Sequence, residues 1–129
     1  MLYLFYLGRL LYGGYFTYSG ISHFRHLGML SQYAASKNVP MAKAAVILSG
    51  VLILLGGLWI LLGVYIQIGI AEISVFLILV SLKMHDYWNE TDQNMKMSSR
   101  VNFLKNMALL GAALMFLQIP IENWGWTLF

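Results

Sequence analysis

The residues able to do chemistry are few, and they sit among apolar neighbours. Arg9 lies inside the first apolar block, Glu72 inside the third, and His23 and His85 close those two blocks. An ionisable side chain inside a bilayer is costly, so each of these marks a candidate functional position. If the first and third blocks run inward as helices, Arg9 is about two turns and Glu72 about one turn below the same membrane face. That depth predicts a pair. Its first reading is a structural ion pair that fixes helix register, because pairing lowers the cost of burial. Its second is an anion, quinone-carbonyl or proton site.

His23 and His85 predict a second polar layer at the other face. Histidines there can cap helix ends, hydrogen-bond a quinone carbonyl or ligate haem. Capping is the simplest reading. Quinone is the first candidate ligand and haem the second. No metal site is expected: no His-x3-His pair or carboxylate–His cluster occurs, and His23 with His26 is a poor ligand spacing. No nucleophile motif supports a Ser–His–acid hydrolase.

These residues need elements to position them, and composition says which. Of 129 residues, 60% are hydrophobic and 10% charged, and the mean hydropathy is +0.70. Soluble domains are about 45–50% apolar and about 25% charged. Such a chain cannot cover itself with polar surface, so lipid must be part of its solvent. A spanning helix needs about 20 apolar residues, and four would use nearly the whole chain. The expected fold is all-α, an integral membrane four-helix bundle forming one domain over residues 1–129. Cysteine is absent, which removes thiolate and iron–sulfur chemistry from this chain. The net charge of +3 is explained by cytoplasmic Lys/Arg bias and calls for no nucleic acid.

Helix 1 is expected from about Leu2 to Phe24, and it is rich in tyrosine. Those rings wind around the helix and read as packing and interfacial groups. No basic residue precedes this stretch and Arg9 interrupts it, so a permanent helix is expected and not a cleaved signal. Arg9, Phe16 and His23 follow heptad spacing with Gly13 and Gly20 beside them, a face expected to point inward. Met29 to Lys37 could form a short helix on the membrane surface, with Met29, Leu30, Tyr33 and Ala34 on one face.

Helix 2 is expected from about Met41 to Tyr65. Gly50 and Gly57, and likewise Gly56 and Gly63, lie at heptad spacing and suit close helix packing. Ile66 to Ile68 would form the break before helix 3, from about Gly69 to Met84. One polar face of helix 3 carries Glu72 and Lys83, the other Ser74, Ser81 and His85. His85 to Arg100 reads as a polar loop containing Trp88, and helix 4 runs from about Val101 to Ile119. Asn102, Asn106 and Ala113 form a stripe on it, with Lys105 adjacent. Trp124, Trp126 and Phe129 read as an interfacial anchor. The Lys and Arg residues cluster in the 1–2 and 3–4 connections. Both connections are therefore expected to be cytoplasmic and both termini outside.

Several segments together carry a resemblance. They are Leu-Gly-Arg-Leu-Leu-Tyr-Gly-Gly-Tyr-Phe-Thr-Tyr-Ser-Gly-Ile-Ser-His-Phe (7–24), Tyr-Ala-Ala-Ser-Lys-Asn-Val-Pro (33–40), Leu-Ser-Gly (48–50) and Leu-Gly-Gly (55–57). His-Asp-Tyr-Trp-Asn-Glu-Thr-Asp (85–92) and Asn-Phe-Leu-Lys-Asn-Met-Ala-Leu-Leu-Gly-Ala-Ala-Leu (102–114) follow. In order and spacing the chain resembles the DoxX family of small four-helix membrane proteins over roughly residues 5–118. Arg9, Gly20, His23, Lys37, Pro40, Gly50, His85, Trp88, Lys105 and Asn106 match its characteristic positions. Asp86-Tyr87 departs from a neutral residue and Phe before the Trp, and Glu72 matches no family feature. The resemblance implies association with quinol oxidase and thiosulfate:quinone oxidoreductase systems, in a bacterial-type inner membrane.

Three functions compete. The first is a quinone-facing redox subunit working with a partner redox protein, with Arg9 or the histidine layer on the quinone carbonyls. The second is a non-enzymatic scaffold or assembly factor, whose 25–40 and 85–100 connections bind a partner. The third, a small-molecule or ion carrier, is disfavoured because no inverted repeat is visible. An oligomer is compatible with all three.

Overall fold

The computed structural model describes residues 1–128. The described elements are all helical: α1 (Leu2–Arg25), α2 (Leu27–Ser36), α3 (Ala42–Leu62), α4 (Ile66–Met84) and α5 (Gln93–Phe116), with single 3-10 turns at Tyr87–Asn89 and Ile121–Trp124. The chain packs in series, α1 on α3, α3 on α4 and α4 on α5, while α2 lies against α3. Tyr12 closes the set: its hydroxyl donates to the Leu109 carbonyl of α5 at 2.8 Å, and its ring meets Phe116 edge-on.

Glycines set the α1–α3 and α3–α4 spacing. A Cβ at Gly57 would lie 2.5 Å from the Thr17 amide nitrogen and 2.7 Å from the Gly13 carbonyl oxygen. One at Gly20 would meet the Leu54 backbone, and one at Gly50 would lie 3.0 Å from His23 Cβ. Gly56 and Gly69 face each other across α3 and α4. Between these contacts runs a core of Phe16, Ile53, Ile60, Ile70, Ile73 and Leu77. Arg9, Gly13, Phe16 and Gly20 form the buried stripe of α1, as the heptad spacing predicts.

The outside of the molecule is apolar. Leu11, Leu48, Leu79 and Met115 are all more than 60% exposed, and exposed apolar surface on this scale marks contact with lipid. Two stretches are long and apolar enough to cross a membrane. They are Ala42–Leu62, with a mean hydropathy of 2.6, and Ile66–Asn89, with 1.9. By the same measure α1 and α5 do not qualify; they carry Arg9, and Lys96, Arg100 and Lys105, respectively.

Several expected boundaries move, each for a local reason. Helix α3 stops at Leu62, three residues before the expected Tyr65. Gly63 is left-handed (φ 71°), and the Gly63 and Val64 N–H groups both turn back to the Trp59 carbonyl. That is a glycine C-terminal cap, so Ile66 to Ile68 are helical and do not form the break. Helix α5 starts at Gln93, within the expected loop, because the Asp92 carboxylate caps it by accepting from the Met95 amide at 3.2 Å. Hydropathy alone hides its polar first turns. Helix α2 starts at Leu27 and buries Ala34 against α3, leaving Met29 exposed. Of the expected anchor, Trp126 is exposed but Trp124 is buried between Phe5 and Phe116; Phe129 lies outside the described residues.

Candidate functional site

The structure separates the polar residues into two ends and a seam. At one end, Arg9 is 6% exposed and does not pair with Glu72. Its Nε donates to the Ile60 carbonyl at 2.7 Å and one terminal nitrogen donates to Leu61 at 3.2 Å. The other terminal nitrogen donates to the Trp124 and Trp126 carbonyls at 3.0 and 2.5 Å. The expected ion pair is therefore corrected. The last turn of α3 leaves carbonyls without intrahelical partners, and its negative dipole end favours a cation. Those carbonyls, with two from the returning C-terminal segment, take the donors that Glu72 was expected to take. Glu72 is left with one carboxylate oxygen buried and without a hydrogen-bond partner.

The opposite end is built on Lys37. Its Nζ donates to Asp86 at 2.8 Å and to Glu90 at 2.5 Å, and all three side chains are less than a fifth exposed. Partial desolvation works against the ammonium charge. The hydrogen bonds to both carboxylates and the Asp86 charge outweigh it and hold the Lys37 pKa above its ordinary value. The Tyr33 hydroxyl adds a bond to the Met84 carbonyl at 3.3 Å. The end of α2 is thus fastened to the end of α4. Tyr87, Trp88 and Phe103 stack edge-on beside this tie, with Trp88 half exposed.

His23 donates from Nδ1 to its own helix, to the Ser19 carbonyl at 2.9 Å, and its ring meets Phe76 of α4. His85 sits half-buried just past α4, and its ring makes no hydrogen bond among the described residues. Lys105 donates to the Tyr15 hydroxyl at 3.2 Å. Asn106, Ser99 and Ser81 are buried in α4 and α5, and the Ser81 hydroxyl has no partner. Among the described residues, no group of three or more His, Asp or Glu side chains gathers as a metal site would require.

The structure does not bring Arg9, His23, Glu72, His85, Trp88, Lys105 and Asn106, the polar positions expected from the sequence, into one site. Arg9 stands at one end, apart from His23, His85 and Trp88. The Lys37–Asp86–Glu90 tie was missed. Its signal was available: two connections expected on one face, one bearing Lys37 and the other three carboxylates, Asp86, Glu90 and Asp92. The partners of Arg9 carried no such signal, because they are backbone carbonyls.

Apolar outer faces around inward polar groups met by backbone and by ion pairs define an all-helical membrane protein. The DoxX family model matches residues 4–86, and the chain belongs to the DoxX family. The match takes in Arg9, His23, Lys37, Glu72 and His85, and stops before Trp88, Lys105 and Asn106. Comparison with curated proteins and with solved structures gives no match.

Proposed function

We propose that this chain is a multi-pass membrane subunit of a redox complex that acts by docking a partner protein at its Lys37 end. In this reading α1, α3, α4 and α5 form a four-helix bundle across a bacterial-type inner membrane. Both termini are outside, and the α1–α3 and α4–α5 connections are cytoplasmic, as the Lys/Arg bias favours. The redox association rests on the family resemblance. The observation that carries the docking role is the Lys37 tie. It makes two connections into one stiff surface, with the half-exposed Trp88 beside it, and exposed aromatic anchors are frequent interface hot spots. Arg9 supports the same reading, since four of its donors are used in holding the fold.

One observation favours a second reading, a quinone-binding subunit. The unpartnered Ser81 hydroxyl, buried Asn106 and the free His85 ring lie on α4 and α5 or at their ends. They could donate to quinone carbonyls. The test is purification in mild detergent, with oxidised and reduced absorption spectra, quinone extraction and identification of co-purifying protein. A partner that is lost in Trp88→Ala, with no stoichiometric quinone, is the expected result. A stoichiometric quinone that is lost in Ser81→Ala and Asn106→Ala would replace docking with the second reading.

A further inference from the structure

A recess of about 300 Å³ opens at the Arg9 end, lined by Tyr6, Arg9, Leu10, Leu61 and Trp126. That is the lower end of the range of about 300–1,000 Å³ for small-molecule sites, enough for a headgroup. Three features of its lining point the same way.

First, the guanidinium carries a full charge with no carboxylate against it among the described residues. The four carbonyls supply partial charge only. Second, a guanidinium has five N–H donors, and four are assigned. The remaining N–H is on the terminal nitrogen that bonds Leu61. Third, the Tyr6 hydroxyl accepts from the Trp126 amide at 2.9 Å, and its own proton has no acceptor among the described residues. The recess is thus lined by a cationic side chain and by two residues that each keep a donor without an acceptor among the described residues. Leu10 and Leu61 make its other walls apolar, and Leu10 is 60% exposed.

We infer that this recess binds a phosphate-type oxyanion on an apolar body, with the Arg9 and Tyr6 donors on its oxygens and Leu10 and Leu61 against its hydrocarbon. An anion suits the charge better than a neutral carbonyl does, because charge-assisted hydrogen bonds are about twice as strong as neutral ones. The shared chemistry could come from a phospholipid headgroup or from free phosphate. This inference is independent of the docking role proposed above, which lies at the opposite end.

The test uses the whole chain in dodecyl maltoside. Dioleoylphosphatidylglycerol and dioleoylglycerol are titrated separately by native mass spectrometry, and inorganic phosphate by calorimetry. Arg9 variants lose structural bonds and are not used. Tyr6→Phe removes one donor and the acceptor of the single Trp126 amide bond, leaves the four Arg9 bonds in place, and is expected to weaken phosphatidylglycerol binding about tenfold. Leu10→Trp, which fills the mouth, is expected to do the same. Phosphatidylglycerol retained over dioleoylglycerol and displaced by phosphate establishes the oxyanion site. Retention without displacement assigns it to the lipid headgroup, and phosphate binding alone assigns it to the free anion. The inference is overturned if phosphatidylglycerol binds no better than dioleoylglycerol and phosphate gives no heat. It is equally overturned if neither variant changes the binding.

Discussion

The two ends of this molecule each hold a cation away from water, by different means. Arg9 is buried on four backbone carbonyls with no opposing carboxylate among the described residues. Lys37 is held by two carboxylates at a less buried site. The difference follows from what each place offers. The end of a helix supplies unpaired carbonyls whether or not the side chains are polar, so a deep cation can be satisfied in an apolar sequence. A connection outside the apolar stretch can carry Asp and Glu, so its cation takes ion pairs. The first arrangement joins three segments into the fold. The second fastens two loops to each other.

The largest test of that contrast is Arg9→Met. It leaves the Ile60, Leu61, Trp124 and Trp126 carbonyls without their donor and frees the C-terminal segment. A loss of about 2–4 kcal/mol is expected, from the cost of unsatisfied buried groups. Unfolding in mixed detergent micelles measures it. A variant as stable as the wild type would remove the structural role given to Arg9. Gly57→Ala should come next. Its added carbon meets backbone atoms of Thr17 and Gly13, which cannot swing aside, so α1 and α3 must separate at a cost of about 1–3 kcal/mol. Gly111→Ala is the control. Nothing lies within 4 Å of its Cβ position, and helix propensity predicts a gain of about 0.5–1 kcal/mol.

Lys37→Met should cost less, about 1–2 kcal/mol, because its site is nearer to water than a fully buried pair. Its effect should also be local. Hydrogen exchange is expected to rise over residues 85–92 and at the end of α2, while the Arg9 end keeps its protection. Lys37→Arg keeps the charge and should restore most of it. If exchange rose equally at both ends, the loop tie would be part of the global fold and the contrast would fail.

How far the sequence revealed this arrangement depends on whether side chains carry the message. The inward face of α1 was legible, because Arg9, Phe16, Gly13 and Gly20 recur with helical period. The all-helical fold was legible from long apolar runs. Heptad spacing makes Gly63 a packing residue and hides the end of α3, which its left-handed backbone sets. The start of α5 was hidden because a capped helix can begin in polar sequence. The Arg9 contacts were invisible for a deeper reason: every acceptor is a peptide carbonyl, and carbonyls are the same at every residue. Depth placed Glu72 near Arg9, but depth does not tell which acceptor wins.

Glu72 therefore supplies the smallest and most discriminating test. One of its carboxylate oxygens is buried and has no partner. If the donors of Arg9 are satisfied by carbonyls, Glu72→Gln removes an acid that Arg9 does not use. Stability should then not fall, because Gln replaces a carboxylate that is buried without a partner. If Glu72 were instead the counter-ion of Arg9, Gln would leave the guanidinium unpaired and the loss would approach that of Arg9→Met. A double variant separates the cases further. Independent sites give additive losses, whereas a pair gives a coupling of about 0.5–3 kcal/mol. Additivity is expected, because the acceptors of Arg9 belong to α3 and to the C-terminal segment and none of them to α4.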